Sequence, residues 1–460
     1  MTDGSDFIAL TACPRCGKPH LDETSDGYRC AGCKTEYPRI DGLPWLFAEP
    51  DAALGEWRHR LQLALQQLAH ESQRIGQELK KDSLLNATRQ RLERLATAND
   101  AHRQKLAELL APFDVQSLTA SYESHLALRT RLPSDQGLNT YYANVHRDWA
   151  WGDAENVASV ECIASVTDAQ GEALQGDILI MGAGAGRLGW DLHQRRDSGQ
   201  TVVLDFNPLL LAIARRLYDG ETLKLFEFPL APASAENVAI EQTLAAPDDT
   251  RPGITPVVGD VLRPPFGEKQ FDAVVTPWLI DIVSEDLRQF APRINRLLKS
   301  DGRWITFGSL AFDHASRARR YSPDEVGEIA TESGFATPIV DETRIPYMSS
   351  PHSRHGRREL VFTASMRKQR KAKAPGTHKA LPDWIVTGKE PVPLMRSFQT
   401  QAMSTRIYAF IMSLIDGRRS IDDMATVLEQ QKLMPQAEAK SAIRNFLIRM
   451  HEDAQRNPNF

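Results

Sequence analysis

Long apolar runs are missing from this 460-residue chain, and no stretch approaches the ~18 consecutive apolar residues that a membrane-spanning helix needs. The first residues also lack the basic and apolar regions of a secretory signal, so a cytoplasmic location with no membrane partner is expected. A strong excess of one charge is missing too: the formal net charge of -5 makes no global case for nucleic acid. Cysteine is scarce, with five residues in all, which excludes a disulfide-rich scaffold. What remains, 42% hydrophobic and 25% charged residues, is the composition of a soluble globular protein, with chain enough for about three domains.

Four of the five cysteines fall together. Cys13, Cys16, Cys30 and Cys33 form C-x2-C-x13-C-x2-C, and two such turns facing each other supply the four thiolates of a tetrahedral zinc site. Two disulfides are the competing reading, but they need an oxidising compartment for which nothing argues. A structural Zn2+ in a ribbon over residues 1–50 is therefore expected. Cys162 stands alone and reads as a small buried apolar residue.

Residues 51–139 are rich in Leu, Ala, Glu, Gln and Arg, and no proline interrupts between Pro50 and Pro112, so two or three amphipathic helices are expected in this segment. From 140 to 366 a helical lead-in is followed by alternating strands and helices. Strand candidates are Ile178–Met181, Thr201–Leu204, Ile254–Val258, Phe271–Thr276, Trp304–Phe307 and Leu360–Ala364. This alternation predicts an α/β fold, a parallel sheet with helices on both faces and an antiparallel edge at its end. Residues 367–381, opening Arg367-Lys-Gln-Arg-Lys-Ala-Lys, have a linker's composition and read as a solvated hinge. The last unit, 382–460, predicts three short helices, one of them starting at Ser420 with Asp423 three residues on, in a small winged-helix-like module.

The most informative segment is Asp177-Ile-Leu-Ile-Met-Gly-Ala-Gly-Ala-Gly-Arg187. A buried strand runs into Gly182, Gly184 and Gly186, where the backbone can take positive φ and approach a ligand with no Cβ in the way. The next strand ends in Asp205, about 20 residues downstream and placed to accept from ribose hydroxyls. This pattern alone fits either a dinucleotide or another nucleoside-bearing cofactor. Three later features tilt the choice: Asp260 followed by Val261 at a third strand end; Phe271-Asp-Ala-Val-Val-Thr-Pro-Trp-Leu-Ile-Asp281; and Leu297-Leu-Lys-Ser-Asp-Gly302-Arg-Trp-Ile-Thr-Phe.

In order and spacing these features resemble an S-adenosylmethionine-dependent methyltransferase of the seven-stranded Rossmann-like type, over residues 140–366. Arg147-Asp-Trp149, Glu155 or Glu161 with Cys162, Gly182-Ala-Gly-Ala-Gly-Arg-Leu-Gly-Trp190, Leu279-Ile-Asp281 and Gly308-Ser-Leu-Ala-Phe312 look like the carnosine N-methyltransferase family. The resemblance implies S-adenosyl-L-methionine as cofactor. Arg147, Gly182, Gly184, Gly186 and Arg187 would lie at its methionine end, Asp205 at the ribose, and Asp260 with Val261 at the adenine. It also implies that Asp281 is the catalytic and substrate-binding carboxylate, with Trp278, His314 and Tyr347 around the acceptor. Asp313 replaces the family's histidine in register, with His314 one step on, and Ser353-Arg-His-Gly-Arg-Arg-Glu359 replaces a tyrosine-rich strand. The fold and methyl transfer survive these departures better than carnosine itself does.

The expected reaction is N-methylation of an imidazole or amine in a small molecule or peptide. A neutral imidazole nitrogen is nucleophilic unaided, and a carboxylate on its other nitrogen selects the tautomer and stabilises the developing charge. Asp281 fits that role; its plainer reading is an N-cap for a helix over Ser284–Ile294. Two alternatives stay open. A zinc ribbon on this fold resembles certain ribosomal RNA methyltransferases, against which stands the lack of interleaved basic and aromatic residues. Residues 382–460 resemble PqqD-like domains through one D-G-x-x-S-I turn, which would make a precursor peptide or protein the partner.

Overall fold

A computed structural model describes residues 4–113, 141–167, 174–314, 316–376 and 391–456. The chain divides into two units, Met1–Pro382 and Asp383–Phe460. Parts of the expected helical segment (114–139), linker (377–381) and last unit (382–390) lie outside the described residues.

The first unit opens with helix α1 (Gly4–Leu10) and the ribbon strands β1 (Asp22–Thr24), β2 (Gly27–Arg29), β3 (Glu36–Ile40) and β4 (Leu43–Leu46). Two long helices follow, α2 (Pro50–Glu78) and α3 (Asn86–Leu110). The lead-in to the sheet is α4 (Tyr142–His146), a π-helical turn over Arg147–Trp151, and α5 (Asp153–Thr167). Then come β5 (Ile178–Met181), α6 (Arg187–Gln194), β6 (Thr201–Asp205), α7 (Pro208–Tyr218), β7 (Leu223–Glu227), β8 (Ile240–Leu244), β9 (Ile254–Gly259) and β10 (Phe271–Pro277). The unit closes with α8 (Leu287–Leu297), β11 (Leu298–Gly308), α9 (Pro323–Glu332), β12 (Ile339–Tyr347) and β13 (Arg357–Arg367).

The main sheet runs β1-β2-β3-β4-β9-β6-β5-β10-β11-β13-β12. From β4 to β11 every pair is parallel, and β13 and β12 add antiparallel, as the strand–helix alternation predicts. Strand order reverses between β5 and β10, which opens a crevice at the carboxyl ends of the central strands. Both faces are covered. Ile178 and Ile180 of β5 join one core with Trp57, Val203 and Phe307; Leu179 and Met181 join the other with Leu204, Val274 and Trp304. Successive strand side chains point to opposite faces, so a strand buried on both reads as an unbroken apolar run.

Two features went unforeseen in the sequence. The ribbon does not hang free: β4 pairs in parallel with β9, Trp45 beside Val258 and Leu46 beside Gly259, so it extends the sheet. A β7–β8 hairpin stands outside the sheet, braced by α3 through Lys105 and Glu241 at 2.8 Å. The expected solvated hinge also begins later than its composition suggests. Lys368 Nζ is buried and donates to the carbonyls of Asn295 and Leu298 at 2.7 Å, and Asn295 Oδ1 accepts from the Ala372 amide. Residues 368–372 thus satisfy carbonyls left open at the end of α8.

The second unit holds α10 (Arg396–Ser413), α11 (Ile421–Gln430) and α12 (Gln436–Arg456) around Ile411, Met424, Leu428 and Ile443. Ser420 and Asp423 form a capping box at the start of α11. The described residues of this unit contain no strand to serve as a wing.

Candidate active site

The carboxyl ends of the central strands open on a cleft of about 1260 Å³, open mouth included, whose lining includes Gly182, Gly184, Asp205, Asp260, Val261 and Trp278. Gly184 has φ +57°, and a Cβ built there meets nothing within 4 Å, so the backbone faces open space. Gly182 has φ +75°, and a Cβ there lies 2.8 Å from Leu279 Cδ1. Gly184 thus leaves the turn bare for a ligand, while Gly182 makes room for Leu279 at the cleft wall.

Asp205 is the cleft's best-defined acceptor. Its Oδ2 accepts from the Gly184 amide and its Oδ1 from the Asn207 amide, each at 2.8 Å. Burial pushes the carboxyl up to about 6, and these amide bonds pull against that rise. Directly after β9, the strand paired with β6, Asp260 Oδ1 accepts from the Leu262 amide at 2.8 Å, and Val261 lines the cleft beside it.

At the other end Arg147, carried by the π-turn, lines the cleft. Its Nε donates to Asp148 Oδ1 at 2.7 Å and its Nη1 to Glu155 Oε1 at 3.2 Å. Burial raises both carboxyls and Arg147 pulls them back. Gly186 and Arg187, expected against the cofactor, do not line this cleft. Gly186 has φ +86° as the residue before α6, and a Cβ there would meet Tyr218 Oη at 2.3 Å. The guanidinium of Arg187 is engaged with Asp191 at 3.0 Å and the Asp148 carbonyl at 2.7 Å, 5.5 and 5.7 Å from the rings of Trp149 and Trp190. It fastens α6 to the π-turn, so its role here is to hold the segment that carries Arg147.

Trp278, expected around the acceptor, packs against Tyr347, ring centres 4.8 Å apart, and both line this cleft. Trp278 has φ +48°, held by its amide's bond to the Phe307 carbonyl, and Gly308 leaves room beside it. Asp281 and His314 lie together in an adjoining cleft, and Tyr141, Ile282, Val283 and Ser284 line both. Asp281 is not a helix cap; Asp286 caps α8. Instead Asp281 Oδ2 accepts from Ser309 Oγ at 2.6 Å and the Ala311 amide at 2.9 Å, while Oδ1 is buried with no hydrogen-bond partner among the described residues. His314 Nδ1 accepts from the Ser316 amide.

The cysteine thiols of 13, 16, 30 and 33 all lie within 4.8 Å of one another. Cys13–Cys33 and Cys16–Cys30 are each separated by 3.6 Å, near the ~3.8 Å edge of a tetrahedron with ~2.3 Å zinc–sulfur bonds. The donor set fits zinc.

Asp148, Glu155, Asn156, Ser159 and Tyr141 also line the cofactor cleft. Asp148 was visible inside the R-D-W motif and Glu155 beside it, whereas Asn156, Ser159 and Tyr141 gave no signal, because the spacing of residues in and before a helix carries no cue to which side meets a ligand. No curated protein matches the chain. Among solved structures it is similar to a possible histamine N-methyltransferase from Thermotoga maritima, with 14% identity, 54% of this chain and 100% of that chain covered, and a TM-score of 0.31. It is also similar to a putative methyltransferase from Bacillus halodurans, with 13% identity, 46% and 100% covered, and a TM-score of 0.32. The profile of a family described as "Methyltransferase domain" matches residues 179–306, the stretch from β5 to β11 that builds the cleft's floor, and the chain carries a methyltransferase domain there.

Proposed function

We propose that the chain is an S-adenosyl-L-methionine-dependent N-methyltransferase acting on an imidazole or amine nitrogen of a small molecule or peptide. The observation that carries the reading is Asp205, a buried strand-end carboxylate bonded to the glycine turn within the matched methyltransferase domain. The cofactor, when bound, supplies a methyl group on a sulfonium already activated for transfer. Asp205 would accept its ribose hydroxyls, Asp260 and Val261 would meet the adenine, and Arg147 would take the methionine carboxylate. Gly184 leaves space for the chain between, and Gly182, with its Leu279 neighbour, would line it. Trp278 and Tyr347 exclude water from the acceptor side. Asp281 would accept an N–H of the acceptor at its unpartnered Oδ1 once the acceptor displaces the groups that cover it, fixing the tautomer and stabilising the charge that develops on the attacked nitrogen. Orientation of this kind accounts for as much as ~7–11 kcal/mol of a barrier.

An amine or imidazole acceptor is favoured over RNA by the half-buried Asp281 carboxylate in the adjoining cleft, whose charge attracts a cationic acceptor and repels phosphate. The test is incubation of the purified chain with isotopically labelled cofactor and fractionated small molecules, peptides and RNA. Label in a small basic compound or peptide supports the reading; label in RNA alone, or cofactor turnover with none of them, overturns it.

A further inference from the structure

The stretch after β12 is tied down at two places. At its root the Met348 amide donates to Glu155 Oε2 at 2.7 Å. Further along, Ser350 Oγ donates to Glu227 Oε1, and the Ala233 and Arg354 amides bond to the carbonyls of His352 and Ala231. This stretch is therefore a strap with fixed anchors, and Tyr347 sits directly before its root. Met348 holds φ +50°, a conformation an L-residue adopts only when its surroundings impose it.

Glu155 is buried and faces a donor on each oxygen: Arg147 Nη1 on Oε1 and the Met348 amide on Oε2. Only a carboxylate of this length offers two acceptors; glutamine would present an NH2 to one of two donors. The Arg147 bond is the longer of the two, and Arg147 has a nearer partner in Asp148. Resting on the function proposed above, we propose that Glu155 is a positioning residue that couples cofactor binding at Arg147 to the placement of Tyr347 on the acceptor wall. A cofactor carboxylate at Arg147 draws the guanidinium from Glu155. The carboxylate charge then concentrates on the Met348 bond and tightens the strap root. The acceptor wall forms fully only behind a bound cofactor, so cofactor binds first.

The test uses the full chain, S-adenosylhomocysteine, calorimetry and hydrogen exchange. In the wild type, saturating ligand is expected to slow exchange at residues 346–350. Glu155→Gln is expected to weaken ligand binding by about tenfold, because the tightening of the Met348 bond that rewards ligand binding is lost, and to abolish that protection at saturation. Acceptor KM should rise more than kcat falls, and Glu155→Asp should not restore protection, being too short to reach both donors. Wild-type-like affinity and protection in Glu155→Gln overturn the coupling. If the variant does not fold, the wild-type measurement decides: binding without protection of 346–350 overturns the coupling alone. No binding at all overturns the cofactor assignment and the coupling with it.

Discussion

The Gly184 amide donates to Asp205 Oδ2 at 2.8 Å, so the bare turn after β5 and the acid ending β6 form one unit. The bond fixes the carboxylate's orientation from the turn that a cofactor must cross, and it joins residues 21 positions apart. Asp205→Ala removes both the proposed ribose acceptor and the turn's anchor. S-adenosylhomocysteine affinity is expected to drop at least 100-fold by calorimetry, the loss of two bonds to a charged group.

The same carboxyl sets a pH dependence. It is pushed up to about 6 by burial, from an ordinary value of 3.8. Ribose hydroxyls donate to the ionised form, so cofactor affinity is full above about 6 and falls as pH drops through that value. The contribution to stability has the opposite sign. Between about 4 and about 6 the folded chain keeps a proton that the unfolded chain has released, so stability falls as pH rises across the window. In Asp205→Asn both trends should vanish, read by binding and thermal melts at pH 5 and 7.5.

The glycines of the turn should separate by what each position needs. Gly186→Ala brings a Cβ to 2.3 Å from Tyr218 Oη at φ +86°, so a fold-level penalty of about 2 kcal/mol or more is expected in denaturant melts. Gly184→Ala faces open space and pays only the left-handed strain, about 1 kcal/mol, yet its methyl enters the cleft. It should lose ligand affinity at nearly normal stability. Equal stability losses in the two variants would contradict the distinction.

Asp281→Asn is expected to leave S-adenosylhomocysteine affinity unchanged, because the carboxylate lines the adjoining cleft. Ser309 Oγ and the Ala311 amide hold Oδ2, which an amide oxygen can replace; the open Oδ1 then becomes an NH2 that cannot accept. Once an acceptor is known, kcat/KM should fall by 100-fold or more, the scale of a lost charge-stabilising group. An unchanged kcat/KM would remove Asp281 from the mechanism.

The parallel sheet was legible because strands such as Ile178–Met181 are buried on both faces and show as unbroken apolar runs between glycine turns. Asp205 and Asp260 were legible as carboxylates ending such runs. Arg187 misled because adjacency to a glycine turn says nothing of where a long side chain points; Trp149, Trp190 and Asp191 draw it away from the cleft. The pairing of β4 with β9 was hidden because Leu43-Pro-Trp-Leu46 is short and reads equally well as packing on a metal knuckle. The hydrogen bonds of the strap to 227–233 span more than 100 residues, and no local pattern encodes them.

That hidden pairing makes metal removal informative. The cysteine cluster is joined to the loop after β9 by the Ala12 amide on the Pro265 carbonyl, the Gly267 amide on the Leu10 carbonyl, and Arg263 on the Arg15 carbonyl. Cys13, Cys30 and Tyr37 share one apolar cluster with Val261, Leu262 and Phe266. The wall that carries Asp260 and Val261 therefore leans on the fold of the ribbon. Without a metal nothing ties the two cysteine turns together, two of whose sulfurs are buried and two exposed, so stripping zinc should loosen the ribbon and, through it, residues 260–267. Chelation is expected to release one zinc per chain, to raise hydrogen exchange across 260–267, and to weaken S-adenosylhomocysteine binding by about tenfold, restored on adding zinc. Cys16→Ser with Cys33→Ser should reproduce the loss without chelator. Full ligand affinity in a zinc-free chain with a disordered ribbon would show instead that β4 alone supports the wall that carries Asp260 and Val261.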